Sequence, residues 1–437
     1  MAATETAVRE RVFEVDELTR VEGEGTLLLR VKGKKVVEAR LKIFEAPRYF
    51  EQLVVERTPD EVIDMVARIC GICPVAYQMS AVHAFEDLFG VQIDPEVRAL
   101  RRLLYCGEWI ESHALHIYLL HLPDFLGYES AIALARDNRP AVERGLRMKK
   151  VGNELLALLG GRPIHPVSVR VGGFSRVPRR AELEALRAPL AVALEDARET
   201  VKLVASLSYP EFDRPARMVA LRDPAEYPYN HGHIVSNDGL DLRPSDWDQA
   251  FHELQVEGTM ALHARTKDGG VYLLGPASRI TLCSETLHPI AREMLAETGM
   301  AGTIERNIYW SILARAIELV HAIAEAIDII DAYRPPIEAK VAVTPRPGVA
   351  AWATEAPRGL LFHRYEVDER GRVSAAQIVP PTSQNQGAIE ADIAAFAPTV
   401  LDLPDAEVTL RLEQLIRSYD PCISCATHFL DVRIVRD

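Results

Sequence analysis

The stretch TIERNIYWSILARAIELVHAIAEAIDIIDAY (303–333) carries the strongest periodic pattern in this chain of 437 residues. Its apolar side chains recur at steps of three and four residues: Ile308, Ile312, Ala316, Leu319, Ile323, Ile327 and Ile330. This spacing places one apolar stripe along an α-helix. The pattern ends at Pro335-Pro336, because proline cannot continue a helix. The stretch therefore predicts a long helix over 303–333 in the core of a helical bundle.

Other segments predict further helices and one β region. Thr58-Pro59-Asp60-Glu61 forms a capping box with proline at the first helical position, which predicts a helix that runs to about Ala67. Residues 12–45 alternate apolar and polar side chains around a Gly-Lys turn, and they predict a β-meander. Helical periodicity also covers three long segments: roughly 95–121, 140–160 and 181–207.

These patterns together predict a mainly α protein of the α+β class, with a core of long helices and β structure at its periphery. Residues 208–282 are rich in Pro, Gly, Tyr and Asp, which favours loops and short strands. The predicted regions are an N-terminal β region (1–57), a helical core with one cysteine pair (58–207), a loop and strand region (208–282), long bundle helices (283–336), a β and loop region over the functional site (337–386) and C-terminal helices with a second cysteine pair (387–437).

Composition excludes several classes of function. The mean hydropathy is −0.02, and no uncharged apolar run reaches the roughly 18 residues of a membrane span. A net charge of −13 disfavours a nucleic-acid partner, because phosphates attract cationic surfaces. MAATETAVRERVFEV (1–15) lacks the apolar core of a secretory signal, so we expect a cytoplasmic protein. Six cysteines, four of them in two CxxC pairs, indicate a reducing compartment and metal or redox use.

The two cysteine pairs lie near opposite ends of the chain. RICGIC (68–73) supplies Cys70 and Cys73, and DPCISC (420–425) supplies Cys422 and Cys425. Thiolates spaced i, i+3 at the start of a helical turn lie on the same side and can bind one metal ion. Pro74 makes Cys73 a candidate N-cap, and a helix N-terminus favours the thiolate form.

Structural zinc and a redox dithiol are the simplest interpretations of two CxxC pairs. About 350 residues separate the pairs, however, whereas structural zinc usually joins a short loop in a small domain. Joining the ends of a chain that can already fold alone is costly in loop entropy, so the separation favours a functional centre. Sulfur ligands alone permit zinc, iron, nickel or copper.

At these residues the chain resembles the large subunit of nickel–iron hydrogenases. RICGIC followed by DPCISCATH near the C-terminus carries the resemblance. It extends over nearly the whole chain through LTRVEGEG (18–25), PRYFE (47–51), ESHALHIYLLHLPD (111–124), GGRPIHP (160–166), EAPRG (355–359) and VPPTS (379–383). The resemblance implies the large-subunit fold, reversible heterolytic cleavage of H2, and a centre of nickel and iron with CO and cyanide on the iron.

The resemblance also implies a role for each cysteine. Cys70 and Cys422 would be terminal ligands of nickel, whereas Cys73 and Cys425 would bridge nickel to iron. Glu22 matches the proton-relay glutamate of the family, although a lone glutamate is more often a solvated charge.

Other matched residues surround that centre. Arg358 matches a guanidinium held over the metals, with Pro357 beside it. Asp124 and Asp420 match carboxylates around this arginine, and helix capping is an equally sufficient role for Asp420. Thr382 matches a hydroxyl that donates to a cyanide.

A separate magnesium site is also implied. Its expected ligands are Glu51, His428 and a backbone carbonyl near Ile378. His113 and His116 share one helix face, but no third ligand is visible nearby, so we interpret them as packing and hydrogen-bonding residues.

One position departs from the family pattern. Tyr77 stands where the family often has histidine. A phenol can donate a hydrogen bond towards a bridging sulfur, but with a pKa near 10 it does not shuttle protons as imidazole does.

Partners follow from counting cysteines. Apart from the two pairs only Cys106 and Cys283 remain, too few for an iron–sulfur cluster, so we expect the clusters in a small subunit. No GxGxxG motif stands at a strand–helix junction, so diaphorase-type flavin subunits linked to NAD(P) are expected elsewhere. In the family a maturation protease cuts after the final histidine, which predicts removal of 429–437. A regulatory H2 sensor and a non-catalytic homologue with structural zinc stay open as alternatives.

Overall fold

The core of the protein is built around helices that are buried on all sides. The computed structural model describes residues 10–46 and 48–427. The helices in chain order are α1 (Phe50–Leu53), α2 (Pro59–Val66), α3 (Pro74–Phe89), α4 (Pro95–Leu115), α5 (Leu122–Leu126), α6 (Ala131–Asp137), α7 (Arg139–Gly160), α8 (Arg180–Ala205), α9 (Trp247–Ala250), α10 (Pro276–Cys283), α11 (Pro289–Thr298), α12 (Ala301–Arg306), α13 (Ser311–Ala332), α14 (Pro381–Val400) and α15 (Asp405–Ser418).

The described residues also form five small antiparallel sheets around this helical core. Their strands are β1 (Glu10–Val15), β2 (Gly25–Lys32), β3 (Lys35–Ile43), β4 (Val169–Arg170), β5 (Gly173–Phe174), β6 (Val219–Arg222), β7 (His233–Ser236), β8 (Asp241–Leu242), β9 (Phe251–Gln255), β10 (Leu262–Thr266), β11 (Gly348–Ala356), β12 (Gly359–Val367) and β13 (Val373–Val379). The sheets pair in the orders β1-β2-β3, β4-β5, β6-β7-β8, β10-β9 and β11-β12-β13. The predicted mainly α architecture, with the β-meander at the N-terminus, is confirmed.

Helix α13 packs against α4 and α8 at the centre of the bundle, and α7 covers α4. Every residue from Ser311 to Ala324 is buried, including the charged Arg315 and Glu318. The helix predicted over 303–333 is interrupted near its start. Its first residues belong to α12, and the long helix α13 begins only at Ser311. Asn307 adopts extended backbone angles and its side chain accepts a hydrogen bond from the Tyr309 N–H, which separates α12 from α13.

The capping box predicted at Thr58 and Glu61 is present, and it starts α2. Helix α4 passes through a π-helical turn at His116–His121 into α5. Such turns insert one extra residue into a helix and re-aim the side chains that follow. Within the described part of the chain, no helix combines the length and apolar composition that crossing a membrane requires.

Two helices begin inside regions expected to be loop and strand. Helix α10 starts at Pro276 and α14 at Pro381, each with proline in its first turn. The sequence after Pro381 is polar and suggests a loop, but its side chains are buried and most of them are hydrogen-bonded to backbone. Gln384, for example, donates to the carbonyl of Leu360 at 2.7 Å. Pairing of most of the polar groups reduces the cost that a polar run would otherwise have in a core helix.

Candidate metal centre

The two CxxC pairs meet in the interior of the protein. The sulfur atoms of Cys70, Cys73, Cys422 and Cys425 all lie within 4.8 Å of one another. Sγ–Sγ distances are 3.7 Å between Cys70 and Cys422 and 3.9 Å between Cys73 and Cys425. A tetrahedral ion with metal–sulfur bonds near 2.3 Å would hold its sulfurs about 3.8 Å apart. The spacings between the two pairs therefore fit four thiolates around one metal ion, while Cys70 and Cys73 lie closer together, at 2.8 Å.

The first pair is positioned by the N-terminus of α3. Cys73 is the residue that precedes the helix, and the sulfur of Cys70 accepts hydrogen bonds from the N–H groups of Ile72 and Cys73 at 3.3 and 3.1 Å. The next two N–H groups, of Val75 and Ala76, donate to the carboxyl group of Glu108 on α4. Two neighbouring helices therefore hold this pair.

The second pair lies in a short turn with little regular structure. Residues Ser424–Ala426 form one turn of 3-10 helix, and Asp420 before it has a φ of 53°. Contacts from distant parts of the chain hold the turn. The N–H of Cys422 donates to the Thr382 hydroxyl at 3.0 Å, and the N–H of Ile423 donates to the Glu22 carbonyl at 2.8 Å.

The four thiols differ in their ease of ionisation. Burial opposes ionisation of Cys70, but hydrogen bonds from the other three thiols and the charge of Arg358 outweigh it and hold its pKa well below the usual range. Burial raises the pKa of Cys73, Cys422 and Cys425. A buried group of this kind is a set of soft ligands for a cation that displaces the remaining protons.

Glu22 lies directly beside the second pair. Its Oε2 is 2.9 Å from the sulfur of Cys422 and also accepts the N–H of Ser424 at 3.2 Å. Glu22 and Cys422 form an isolated parallel bridge that brings the N-terminal segment against the C-terminal one. The carboxylate is thus placed to exchange a proton with a cysteine of the cluster.

Arg358 occupies the two-residue tip of the β11–β12 hairpin, next to Pro357. Its side chain is buried and donates from Nε to the Asp420 carbonyl at 2.8 Å and from Nη2 to Asp420 Oδ1 at 3.1 Å. Burial lowers the pKa of this guanidinium, but the negative charges of Asp420 and the cysteines raise it by more. Its pKa therefore lies well above the usual value. Arg358 is therefore a fixed cation beside the four sulfurs.

Asp124 has different partners from those expected. It was placed by the sequence around Arg358, but its carboxylate accepts from Arg20 at 2.5 Å and from Arg417 at 2.7 and 3.0 Å. The helical turn after the π-helical segment places Asp124 beside Arg20 and beside Arg417 at the end of α15, so its carboxylate offsets part of the charge of these two arginines. Among the predicted aspartates, Asp420 is the one that the structure brings to Arg358.

The expected magnesium residues Glu51 and Ile378 are adjacent. The Ile378 N–H donates to Glu51 Oε1 at 2.7 Å. Burial and then the neighbouring Glu253 raise the pKa of Glu51 to about 8. Glu253, which the sequence did not single out, is half-buried, and loss of hydration raises the pKa of its carboxyl group to about 7. His428 and the predicted cleavage after it lie outside the described residues.

The remaining candidates have structural contacts. His113 Nε2 lies 2.9 Å from Glu318, and His116 Nε2 lies 2.8 Å from the Arg417 carbonyl, so the two histidines have separate partners. Tyr77 is buried near the cluster, its ring 5.6 Å from that of His363. Burial and then Cys425 raise its pKa well above the usual value, which keeps the phenol protonated.

Comparison with known proteins decides between the metals that four thiols permit. A family model described as nickel-dependent hydrogenase matches residues 48–144 and 278–428, which include all four cysteines. The chain belongs to this family. The subunit alpha of sulfhydrogenase 1 from Pyrococcus furiosus is 33% identical over 95% of this chain and 97% of its own length. The protein is accordingly a hydrogenase large subunit, an oxidoreductase that acts on H2.

A further relative and a solved structure are also similar to this hydrogenase over nearly its whole length. Subunit beta of the NAD-reducing hydrogenase HoxS from Cupriavidus necator is 27% identical, over 96% of this chain and 95% of its own length. A crystal structure of an NAD+-reducing NiFe hydrogenase in the H2-reduced state superposes with a TM-score of 0.86 at 26% identity, covering 97% of this chain and all of that one. The resemblance stated from the cysteine motifs is confirmed, as is the fold.

Proposed function

We propose that this hydrogenase chain cleaves H2 heterolytically and reversibly at a nickel–iron centre and passes the electrons to a partner subunit. The observation that carries the proposal is the buried group of four sulfurs with the Glu22 carboxylate 2.9 Å from Cys422. When bound, nickel and iron with CO and cyanide ligands would supply the two-electron redox chemistry. Cys70 and Cys422 are the proposed terminal ligands, and Cys73 and Cys425 the proposed bridging ones.

Glu22 is the proposed acceptor of the proton. A proton on the sulfur of Cys422 needs one transfer along an existing hydrogen bond to reach Glu22 Oε2. Positioned carboxylates accelerate such transfers by roughly 10²- to 10⁴-fold. The N–H of Ser424 holds the same oxygen, which keeps the carboxylate in place while the proton moves.

Arg358 and Thr382 are the proposed donors to the cyanide ligands. The Nη1 of Arg358 has no hydrogen-bond partner among the described residues, so it can donate to a bound group. The Thr382 hydroxyl accepts the N–H of Cys422 and keeps its own hydrogen for a second bond. Pro357 fixes the backbone before Arg358.

A magnesium ion is proposed at Glu51, the carbonyl of Ile378 and His428. Support comes from the half-buried carboxyl group of Glu51, which has Glu253 as a neighbour of like charge when both ionise. A divalent cation would stabilise the ionised form of both. Its oxygen and nitrogen ligands differ from the sulfur set, so the two sites would select different metals.

The electrons are proposed to leave through a small subunit with iron–sulfur clusters, and then through diaphorase-type flavin subunits to a soluble carrier such as NAD(P). Support comes from the NAD-reducing relatives and from the two cysteines outside the cluster, Cys106 and Cys283, which are buried next to Tyr229 and the Leu221 carbonyl respectively. We also propose a cytoplasmic location and removal of residues 429–437 by a maturation protease, which intact-mass analysis of active enzyme would test.

The deciding experiment is metal analysis of the co-purified complex together with H2-dependent dye reduction. We expect nickel in a 1:1 ratio to the large subunit, infrared bands of CO and cyanide, and dye reduction that requires H2. Zinc in place of nickel, without dye reduction, would reject the proposal. A turnover far too slow for metabolism, in a complex with the same metals, would favour a regulatory sensor.

A further inference from the structure

Arg279 is a buried cation that none of the roles above uses. It lies in the first turn of α10 and is fully buried. Its guanidinium packs 4.3 Å from the centre of the Trp109 ring. A buried charge of this kind persists only where its partners compensate for the lost hydration.

All five N–H groups of Arg279 are matched by acceptors. Nε and Nη2 donate to the two oxygens of Glu318 at 2.7 and 2.8 Å. Nη1 donates to Glu355 Oε2 at 2.8 Å and to the Ala356 carbonyl at 2.9 Å. The second bond from Nη2 reaches the Pro357 carbonyl at 3.0 Å. Two carboxyl groups thus face the charge, while two backbone carbonyls of the β11–β12 tip receive the remaining donors.

Close packing against Leu274 and Gly275 also leaves the Pro357–Arg358 tip little freedom. A side chain at Gly275 would place its Cβ 2.9 Å from the Arg358 carbonyl oxygen, and one at Gly359 would lie 2.6 Å from Cβ of Leu274. Both glycines have positive φ, of 107° and 132°, which only glycine adopts readily. The segment 274–279 therefore holds the hairpin tip through close backbone contact and through the Arg279 side chain.

We propose that Arg279 is a positioning residue, which holds the Pro357–Arg358 tip so that the Arg358 guanidinium stays beside Asp420 and the four cysteines. The inference rests on the proposed function of Arg358 as a donor to the metal ligands. Arg358 reaches Asp420 through two hydrogen bonds, and Asp420 stands two residues before Cys422. A change in the tip would therefore move the cation relative to the centre without removing any metal ligand.

Lysine at position 279 provides the decisive variant. Its ammonium keeps the charge but has three donors, so R279K cannot match five acceptors in the same plane. Arg101 supplies the matched control. It is also fully buried, donates to both oxygens of Glu86 at 2.7 Å and reaches the Arg170 carbonyl at 3.2 Å. R101K therefore carries the same chemical change in a buried ion pair between α4 and α3.

The experiment compares wild type, R279K and R101K in the purified complex. We expect R279K to keep nickel and iron at wild-type ratios, to shift the cyanide infrared bands, and to lower kcat by about 10- to 100-fold, as a displaced catalytic group does. Amide hydrogen exchange over residues 353–362 should be faster in R279K, whereas R101K should leave both this exchange and the cyanide bands unchanged.

Wild-type cyanide bands, exchange and kcat in R279K would overturn the inference, as would equal changes in R101K. If R279K does not accumulate, the E355Q variant tests the positioning role of Arg279 instead. It removes one charge from the same network, and we expect a smaller band shift together with faster exchange at the tip. Wild-type bands and exchange in E355Q would overturn the inference. Wild-type enzyme without nickel or H2-dependent dye reduction would instead reject the proposed function itself, before any variant is compared.

Discussion

The two cysteine pairs contribute equally to one cluster, but they are held in opposite ways. Cys70 and Cys73 lie at the start of a 16-residue helix, whose N-terminus orients their backbone. Cys422 and Cys425 lie in a short turn, which is held by Glu22, Thr382 and Arg358 from three distant segments. The first pair is thus held mainly by local structure, and the second is held mainly by long-range contacts. The difference predicts that distant substitutions disturb the second pair more than the first.

The largest effect should come from the ligands themselves, irrespective of how each pair is held. C70S and C422S should each reduce nickel to background and abolish H2-dependent dye reduction, because an alkoxide is a harder ligand than a thiolate. Metal analysis of the purified complex measures this. The matched controls are C106A and C283A, which alter buried cysteines outside the cluster and should cost about 1–2 kcal/mol of stability with nickel retained. Full nickel in either serine variant would contradict the proposed ligand set.

Substitution of the Glu22 side chain tests its role as a proton acceptor while its backbone carbonyl continues to hold the turn of the second pair. E22Q keeps the backbone carbonyl that accepts the Ile423 N–H but lowers the basicity of the side chain beside Cys422. We expect dye reduction to fall by about 10²- to 10⁴-fold with unchanged nickel. E45Q, which alters the carboxylate that accepts from the Ser424 hydroxyl, serves as the control and should stay within about twofold. Activity of E22Q equal to that of E45Q would exclude Glu22 as the proton acceptor.

Thr382 tests whether one distant hydroxyl holds the second pair. T382V keeps the shape of the side chain but leaves the buried N–H of Cys422 unpaired, which costs about 1–3 kcal/mol. The expected result is a lower free energy of unfolding in urea and faster loss of nickel to a chelator. T382S retains the hydroxyl and should behave as wild type. Equal stability of T382V and T382S would show that the turn does not depend on this contact.

The smallest effect should come from the local signals before the first pair. T58A removes the hydroxyl of the capping box at the exposed start of α2 and should cost about 1 kcal/mol of stability. We expect unchanged nickel content and unchanged dye reduction, because the contacts that hold the first pair come from the start of α3 and from Glu108 of α4 and do not involve the Thr58 hydroxyl. Urea unfolding and metal analysis of T58A and T58S together measure this. Nickel loss in T58A would mean that the first pair depends on α2 in addition to α3 and α4.

The elements that were predicted well share a local cause. The β-meander, the capping box at Thr58 and the N-cap position of Cys73 each depend on neighbouring residues, so their signals lie within a few positions of the chain. Helix α14 was missed for the opposite reason. Its polar first turns are compatible with a helix only because strands elsewhere in the chain accept their hydrogen bonds.

The same division applies to the site. The cysteine motifs indicated the four ligands, and their resemblance to a known family indicated the metals. The partners of Asp124 could not be predicted, because both Arg20 and Arg417 approach it from other elements. Glu108, Glu253 and Arg279 carry no motif, and only their positions beside the functional residues distinguish them.

By itself, the sequence determined which elements form locally and which residues could serve as metal ligands. The tertiary structure alone decided that the sulfurs near the two ends of the chain lie within 4.8 Å of one another, and which cations and carboxylates surround them. The physical reason is the range of the interactions. Capping and periodicity act over one or two helical turns. A buried charge, by contrast, is paired with a group from any part of the chain that the fold brings near it, because an unpaired charge in the core is costly.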